Sequence, residues 1–497
     1  MASSDLSLPG KPEWVFDREA EWDALVAFAR DTAPGARLGV VSGRLRQGKT
    51  FLLETLTAVT GGFYFGAQQV AEAESLTRLG EALARYTGTP VPFHRHGWEE
   101  TVEALLALGD ERPVPVVLDE FPHLVRQSPA LPSVLHNACR RRRQAGRPGQ
   151  ARLLLSGSSL PLMHRLFGPA SPLRELAGPA LTVGPLDFRQ AARFWGIDDP
   201  RLALLVHAVV GGTPAYRHDY VEDDVPAGPD DFDDWVCRTV LNRRRRLFQE
   251  AHHLLQEETD HWDRALSHSA LSAVATGCAT QGQVADCLGT PLTDTARCLT
   301  LLRENGLLET EPDAFRPHVG RLRVAEPLLA FEHGAVHAHR PALEHRDPVE
   351  VWKHARPVFD SVVMPAHFAQ VCREWARDFA DPAVFGARPV TAARGTLPDP
   401  AHAGGAETAA DVVVRGPGDA RAGVLLSVGL ARWGEVMDLP HLDHLRGLLT
   451  RLTDLGEDVG RARPACYGAA GFSDALRAAE AEGEVVLVGL DRLYGRG

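Results

Sequence analysis

The chain of 497 residues contains lysine at only three positions, and one of them belongs to a pattern that could bind phosphate. Gly43 is followed by four residues and then by Gly48, Lys49 and Thr50, which gives the spacing G-x4-G-K-T. The glycines let the backbone curl so that its N–H groups face phosphate oxygens. Lys49 would reach the β- and γ-phosphates of a nucleotide, and the Thr50 hydroxyl would ligate Mg²⁺. We therefore predict a phosphate-binding loop; the alternative is a glycine turn that only joins a strand to a helix.

An acidic pair stands where such a loop needs one. The run VPVVLDE, residues 114–120, ends in Asp119 and Glu120 after four apolar positions. An acidic pair at the carboxyl end of a buried strand is the Walker B arrangement. We expect Asp119 to hold Mg²⁺, directly or through water, and Glu120 to orient and deprotonate the attacking water. The alternative is an exposed acidic turn.

Several other polar residues could have either a functional or a purely structural role. Ser156, Ser158 and Ser159 follow an apolar run and could sense the γ-phosphate, or they could form a helix-capping turn. Arg174 is a further candidate γ-phosphate sensor. The arginine runs 140–143 and 243–246 could contact DNA phosphates or supply an arginine finger to a neighbouring subunit. The alternative for both runs is a solvated helix face.

The elements around these residues indicate an α/β fold. Apolar, strand-like runs occur near 37–43, 61–66, 114–120, 151–157 and 180–186, and helical patterns separate the first of them. Strands that alternate with helices and are apolar on both faces are typical of a doubly wound parallel sheet. The helix after the loop would begin at the loop itself, so its positive end would also face the phosphates.

The pattern changes after residue 188. We predict four domains: a P-loop ATPase core at 12–190, a helical lid at 191–262, a winged-helix domain at 263–335 and an α/β domain at 351–497. Three helices followed by a short hairpin give the order of a winged helix. A proline- and histidine-rich stretch near 335–350 is interpreted as a linker. In the last domain, strands are expected at 410–416, 422–430 and 484–490.

Composition narrows the class of protein. The net charge of −12 excludes a polycation that coats nucleic acid. No apolar run reaches the ~18 residues that span a membrane, and residues 1–11 lack the features of a signal peptide, so we expect a cytoplasmic protein. The seven cysteines contain no C-x-x-C pair and are expected to be reduced. Cys278, Cys287 and Cys298 have the wrong spacing for zinc.

With these motifs, the chain resembles the archaeal-type ATPases of the P-loop STAND/AAA+ group. The segment 16–21, FDREAE, is similar to the family's F-x-x-R-E-x-E motif, residues 155–159 resemble its sensor strand, and residues 211–216, GGTPAY, resemble its G-G-x-P-x-Y lid motif. The resemblance implies catalytic roles for Lys49 and Glu120 and a magnesium site at Thr50 and Asp119. It also implies nucleotide contacts from Arg18, Gly43, Arg44, Gln47, Gly48, Lys49, Thr50, Phe51, Ser158 and Pro214.

Members of this family often carry a C-terminal nuclease-like domain, of the restriction-endonuclease-like or DUF234 type. Such domains hold Mg²⁺ with an Asp on one strand and an acidic-x-Lys on the next. Asp411 matches the first strand, but Ser427, Val428 and Gly429 stand where acidic-x-Lys is required, and no lysine follows Lys353. We therefore expect a degenerate domain without nuclease activity.

Two functions from different classes follow. The first is a Mg²⁺-dependent ATPase that acts as a molecular switch or small motor coupled to the winged helix and the C-terminal domain. The second is an ATP-regulated DNA-binding or scaffold protein with negligible turnover. The candidate recognition helix, 292–305, carries Arg297 and Arg303 but also Asp294 and Glu304, which is weak basic character. A nuclease effector is a third hypothesis. A protein partner and a homo-oligomer are left open.

Overall fold

A computed structural model of the chain describes residues 10–89, 97–146, 149–169, 171–258, 264–398, 407–418 and 423–496. The chain divides into two compact units. The first consists of Met1–Pro185 together with Thr213–Ala215, and the second consists of Leu186–Gly212 and Tyr216–Gly497. Three residues of the predicted lid motif therefore belong to the first unit, although the chain on either side of them belongs to the second.

The first unit alternates strands and helices. Its strands are β1 (Arg37–Ser42), β2 (Phe63–Gly66), β3 (Val114–Asp119), β4 (Ala151–Gly157) and β5 (Ala177–Thr182). Its helices are α1 (Glu19–Ala29), α2 (Lys49–Thr60), α3 (Glu72–Thr87), α4 (Trp98–Ala107), α5 (Phe121–Gln127), α6 (Leu131–Gln144) and α7 (Leu160–Leu166).

The five strands form one parallel sheet in the order β2-β3-β4-β1-β5. Every residue of β3 and β4 is buried, because apolar helices cover both faces. One face packs against a core that includes Trp22, Leu53 and Leu56, and the other packs against a core that includes Leu79 and Leu105. The predicted α/β core with a parallel sheet is confirmed, and the five predicted strands are present within a few residues of their expected bounds.

The second unit begins with helices. These are α8 (Phe188–Trp195), α9 (Pro200–Val210), α10 (Phe232–Arg238), α11 (Arg246–Glu258), α12 (Arg264–Ala275), α13 (Gln281–Leu288), α14 (Leu292–Glu304), α15 (Pro327–Phe331), α16 (Arg340–Leu343), α17 (Pro348–Val358), α18 (Met364–Asp378), α19 (Pro382–Phe385), α20 (Leu439–Asp454), α21 (Asp474–Ala481) and α22 (Leu490–Leu493). The strands are β6 (Leu308–Pro312), β7 (Gly320–Val324), β8 (Thr391–Pro398), β9 (Glu407–Gly416), β10 (Val424–Arg432), β11 (Arg463–Gly468) and β12 (Val486–Gly489).

The order expected of a winged helix is present in this unit: α12, α13 and α14 precede the antiparallel hairpin β6–β7. The first residue of the predicted domain, 263, lies outside the described residues. The hairpin is tied to the C-terminal sheet, because the Ala314 N–H donates to the Arg394 carbonyl at 2.8 Å and Arg316 pairs with Glu407 at 2.7 Å. That this segment forms a winged-helix domain, and the four-domain division as a whole, stay predictions.

A separate C-terminal sheet of five strands has the order β12-β11-β10-β9-β8, with β8, β9 and β10 antiparallel and β10, β11 and β12 parallel. The three predicted strands are β9, β10 and β12. The other two, β8 and β11, have the sequences TAARGTLP and RPACYG, which are poor in β-branched residues. Pairing with neighbouring strands overrides that weak propensity, so sequence alone did not reveal them.

The predicted linker near 335–350 is wrong. Residues His337–His339 form a 3-10 turn, α16 follows, and α17 begins at Pro348. The prolines stand in the first turn of each helix, where a missing N–H costs no hydrogen bond. Asp347 caps α17 by accepting a hydrogen bond from the Val349 N–H at 3.0 Å. None of the described helices is long and apolar enough to cross a membrane.

The histidines around this turn form a packed group. His252, His268, His333 and His337 have neighbouring ring centroids 5.0–6.1 Å apart. Arg340, which pairs with Glu332 at 2.7 Å, adds positive charge to the group. Burial first, and then Arg340 and the neighbouring rings, lower the pKa of His252 to about 4. Burial also lowers the pKa of His268 and His333.

We expect the stability of the second unit to depend on pH through this group. His252, His268 and His333 each have a lower pKa in the folded state than the ordinary value of about 6.5, so the unfolded state binds more protons between about pH 6.5 and pH 4. Stability is therefore full above pH 6.5 and falls as the pH drops through that window. Thermal unfolding measured from pH 7.5 to 4.5 tests this. His252→Gln should flatten the loss, whereas the exposed neighbour substitution His253→Gln should leave it unchanged; equal profiles for both variants would contradict the assignment.

Candidate nucleotide-binding site

The predicted phosphate-binding loop joins β1 to α2 at the carboxyl edge of the parallel sheet. Gly43 has φ +154° and Gly48, the N-terminal capping residue of α2, has φ +88°. A Cβ atom on Gly43 would lie 2.2 Å from the carbonyl oxygen of Val183, so only glycine fits there. The loop thus has the conformation in which consecutive N–H groups can face an anion at the start of a helix.

Lys49 lies inside this loop and is only 4% exposed. Its ammonium group donates hydrogen bonds to the carbonyl oxygens of Gly43 at 2.7 Å and Arg44 at 2.8 Å. A buried ammonium group requires such acceptors or a negative charge. The side chain is therefore held at the centre of the loop, at the place where the sequence predicted contact with phosphate.

Thr50 and Asp119 are brought together. The Thr50 hydroxyl donates a hydrogen bond of 2.6 Å to Oδ2 of Asp119. Asp119 is buried, with only 2% of its surface exposed. The Tyr64 hydroxyl donates to the same oxygen at 3.0 Å, and the Glu120 N–H donates to Oδ1 at 3.0 Å. Burial raises the pKa of Tyr64, and the negative charge of Asp119 raises it further, so this hydroxyl stays a donor.

Hydroxyl and carboxylate oxygens are the ligands that Mg²⁺ prefers, and it usually takes one or two from the protein and the rest from phosphates and water. Thr50 and Asp119 fit that requirement. Across the described ranges, no three His, Cys, Asp or Glu side chains are grouped so that they could hold a metal ion by themselves. A magnesium ion at Thr50 and Asp119 would therefore depend on a bound phosphate for further ligands.

Glu120 follows β3 with φ +48°, a backbone conformation that is uncommon for a residue with a side chain. Its Oε2 accepts hydrogen bonds from the Ser158 hydroxyl at 2.9 Å and the Ser158 N–H at 3.3 Å. Ser158 is thus placed against the acidic pair. Ser159 is the N-terminal capping residue of α7, but its side chain makes no capping hydrogen bond, so no capping contact supports the alternative of a helix-capping turn.

Backbone strain is concentrated at this site. Six described residues other than glycine have positive φ, and four of them belong to its motifs: Asp17, Arg18, Arg46 and Glu120. Each such conformation costs on the order of 1–3 kcal/mol, and such residues cluster at functional sites because the surrounding structure holds them in place. This is independent support for a site built from the N-terminal motif, the loop and the end of β3.

The lid motif reaches the loop through Gln47. The Gln47 side-chain amide donates to the Thr213 hydroxyl at 3.2 Å, and both residues are 2% exposed. The amide oxygen of Gln47 is buried and has no hydrogen-bond donor among the described residues. Pro214, the predicted nucleotide contact, is half-buried directly after Thr213. The loop and the lid motif are therefore in contact through Gln47 and Thr213, and the nucleotide contacts of Gln47 and Pro214 stay predictions.

The remaining predicted residues are less closely tied to the loop. Arg18 donates to the Gly184 carbonyl at 2.6 Å and to Glu21 at 2.8 Å, so it braces the N-terminal motif. Phe51 is 48% exposed on the first turn of α2, and its predicted contact with the nucleotide stays a prediction. Arg174 is exposed in a 3-10 turn, and no contact described for it joins it to the loop.

The arginine runs have local partners. Arg141 and Arg142 pair with Glu103, and Arg142 also pairs with Asp110. Arg245 pairs with Glu222 at 2.7 Å. These contacts favour the interpretation as a solvated, partly neutralised helix face over a free cationic surface.

The predicted degenerate nuclease position holds an ion pair. Oδ2 of Asp411 on β9 accepts hydrogen bonds from the Arg432 guanidinium at 2.9 Å and from the Ala431 N–H at 3.0 Å. The register pairs Val412 with Gly429. The Arg432 guanidinium, from the end of β10, is therefore paired with the carboxylate that a metal would require. The spacing of the motif did not predict this ion pair.

Sequence analysis missed Tyr64 and Thr213. Tyr64 lies on β2, and β2 pairs with β3 so that Gly66 is opposite Asp119. Residues two apart on a strand share a face, so Tyr64 lies on the same face of β2 as Gly66, which is opposite Asp119. This signal could be used only once the order of the strands was known.

The sequence matches no protein-family model, and it matches none of the curated proteins. The fold does resemble solved structures. A Walker-type ATPase of Pyrococcus abyssi is 19% identical, and the alignment covers 66% of this chain and 99% of that one, with a TM-score of 0.50. The ORC2 protein of Aeropyrum pernix, solved in ADPNP–ADP complexes, is 16% identical over 72% of this chain and 97% of its own, with a TM-score of 0.41. The RuvB Holliday junction branch migration motor of Thermotoga maritima is 15% identical over 61% and 93%, with a TM-score of 0.32. The match to the Pyrococcus protein shows that this chain has a P-loop ATPase fold.

We expect Gly43→Ala to destabilise the first unit by about 1–3 kcal/mol, because the added Cβ would collide with the Val183 carbonyl. Urea denaturation measures the free energy of unfolding. The control is Gly97→Ala, where a Cβ meets nothing within 4 Å and φ is −77°. Wild-type stability in Gly43→Ala would mean that the loop is not held in this conformation.

Proposed function

We propose that this chain binds ATP with Mg²⁺ at Gly43–Thr50 and hydrolyses it, so that the state of the nucleotide controls the second unit. One observation supports this above the others. The Thr50 hydroxyl and the buried Asp119 carboxylate are joined at 2.6 Å, beside an ammonium group held inside the loop. A glycine turn with only a joining role has no need for a buried lysine and a buried carboxylate, both of which cost free energy to desolvate.

The chain's own residues divide the work. The loop N–H groups and Lys49 bind the phosphates and stabilise the charge that develops in the transition state. Lys49 exchanges its two carbonyl acceptors for phosphate oxygens when a nucleotide binds. Thr50 and Asp119 would hold Mg²⁺, which would supply positive charge to stabilise the transferred phosphoryl group. Most of the catalysis is thus positioning and charge stabilisation.

Glu120 is the general base in this proposal. It orients the attacking water and accepts its proton. Ser158, for which the sequence predicted contact with the γ-phosphate, donates to the Glu120 carboxylate at 2.9 Å. Ser158 therefore fixes the direction of the base, and a water molecule between Glu120 and the γ-phosphate is placed by both residues.

The contact between Gln47 and Thr213 supports coupling to the second unit. Gln47 lies next to Gly48 in the loop, and Thr213–Ala215 belong to the first unit between two segments of the second. A change in the loop on nucleotide binding acts directly on the covalent connection to α9 and to Tyr216. We propose that this motif is the lid through which ATP acts as a switch.

The ATP-regulated scaffold with negligible turnover remains the second candidate, and it shares the nucleotide site. DNA binding through the winged helix has less support. The hairpin β6–β7 is engaged by the C-terminal sheet, and α14 combines Arg297 with Asp294 and Glu304. We propose that the winged helix packs within the second unit. We also propose that a partner protein distinguishes the ATP-bound state from the ADP-bound state.

The proposed ATPase activity is tested by measuring Mg²⁺-ATP turnover and nucleotide binding in the wild type, Lys49→Ala and Glu120→Gln. Lys49→Ala should lose nucleotide binding and turnover together, because the phosphates lose their buried cation. Glu120→Gln should keep binding and lose turnover by roughly 10²–10⁴-fold, since a general base typically contributes that much. Matched controls are Lys353→Ala and Glu81→Gln, both exposed. Turnover at the wild-type rate in Glu120→Gln would show that the base is misassigned, and binding without turnover in the wild type would favour the scaffold.

We expect no Mg²⁺-dependent DNA cleavage by the purified protein. Arg432 neutralises the charge of Asp411, and neither the acidic residue nor the lysine of the acidic-x-Lys motif is present on the next strand. Incubation with supercoiled plasmid and Mg²⁺ measures cleavage. Asp411→Ala separates the protein's own activity from contamination. Robust cleavage that disappears in Asp411→Ala would overturn the prediction.

A further inference from the structure

Asp119 is the residue whose orientation most directly sets the magnesium site, and its carboxylate has an unusual set of donors. Oδ2 accepts from Thr50 at 2.6 Å and from Tyr64 at 3.0 Å, while Oδ1 accepts from the Glu120 N–H at 3.0 Å. Thr50 belongs to the loop, and the Glu120 N–H is fixed by the chain. Among these three donors, Tyr64 is the one that comes from outside both motifs.

The sheet explains how Tyr64 reaches Asp119. β2 is the edge strand beside β3, with Tyr64 opposite Val117 and Gly66 opposite Asp119. Residues two apart on a strand point to the same face and lie about 7 Å apart along it. The phenol ring spans this distance, so its hydroxyl arrives at the level of the Asp119 side chain.

Gly66 leaves the room for this ring. A Cβ atom at position 66 would lie 3.2 Å from the Tyr64 hydroxyl oxygen and 3.6–3.7 Å from the nearest ring carbons. Position 66 carries no positive φ, so backbone conformation does not require glycine there. The absence of a side chain next to the hydroxyl is therefore explained by the contact between Tyr64 and Asp119.

We propose that Tyr64 is a positioning residue for magnesium binding: its hydroxyl fixes Oδ2 of Asp119 toward the Thr50 hydroxyl. The inference rests on the proposed function and deepens it. Without the phenol hydroxyl, Oδ2 keeps a single donor, Thr50, whose oxygen is also needed by the metal. The carboxylate then rotates more freely, and the site is less well organised before the metal arrives. Loss of a hydrogen bond that orients a metal ligand typically lowers metal affinity about 10–100-fold.

A purely structural role for Tyr64 makes a different prediction. The ring also packs against the apolar core on one face of the sheet. Tyr64→Phe keeps the ring and removes only the hydroxyl. If packing were its whole role, this variant would bind nucleotide and magnesium as the wild type does.

The test is equilibrium binding of a non-hydrolysable ATP analogue by calorimetry, over a range of Mg²⁺ concentrations and in EDTA. In Tyr64→Phe we expect the Mg²⁺ concentration at half-maximal enhancement of binding to rise about tenfold. The affinity in EDTA should stay within about twofold of wild type, since the loop and Lys49 are untouched. Gly66→Ala, which keeps the hydroxyl but crowds it, should shift the Mg²⁺ dependence in the same direction.

The matched control is Tyr86→Phe. Tyr86 is an exposed tyrosine of the same unit whose hydroxyl donates to the Gly61 carbonyl at 2.8 Å, away from the loop. It should have the Mg²⁺ dependence of wild type. An unchanged Mg²⁺ dependence in both Tyr64→Phe and Gly66→Ala overturns the inference and leaves the proposed function intact. A wild type that does not bind the analogue, with or without Mg²⁺, refutes the proposed function itself.

Discussion

The burial of two charged side chains, Lys49 and Asp119, is the constraint on which the nucleotide site depends. Both residues are nearly inaccessible to water, and an ionic side chain in that position needs compensating groups. Carbonyls of the loop compensate Lys49, and the hydroxyls of Thr50 and Tyr64 compensate Asp119. Two residues other than glycine, Arg46 within the loop and Glu120 after β3, have positive φ at this site. In the proposed function, a triphosphate with a divalent cation would supply the charges that complete this arrangement.

Much of this could be read from the sequence because the chemistry leaves a local pattern. The glycines, Lys49 and Thr50 are neighbours in sequence. The apolar runs that become β3 and β4 are fully buried strands, and β1 is buried except at its two end residues. Gln47 was predicted as a nucleotide contact, but its partner Thr213 is 166 residues away. Tyr64 depends on the order of strands in the sheet. Contacts of that kind are fixed by tertiary structure, and no local pattern encodes them.

Less of the second unit could be predicted from the sequence. Its helix order was predicted, but the segment expected as a linker is helical, because proline in a first turn and an Asp347 cap favour a helix rather than a loop. Strands β8 and β11 form through pairing with stronger neighbours. Asp411, which the resemblance to nuclease-like domains had singled out as a metal ligand, forms an ion pair with Arg432. We propose that the second unit responds to the nucleotide and that the first unit carries the chemistry.

The most direct test of the central claim is a crystal structure of the protein with a non-hydrolysable ATP analogue and Mg²⁺. The proposed function requires phosphates against the backbone N–H groups of residues 44–50, with the Lys49 ammonium moved from the carbonyls of Gly43 and Arg44 to phosphate oxygens. It also requires the metal beside Thr50 and Asp119. A nucleotide bound elsewhere, or a loop that keeps Lys49 on its carbonyls with the analogue at saturating concentration, would contradict it.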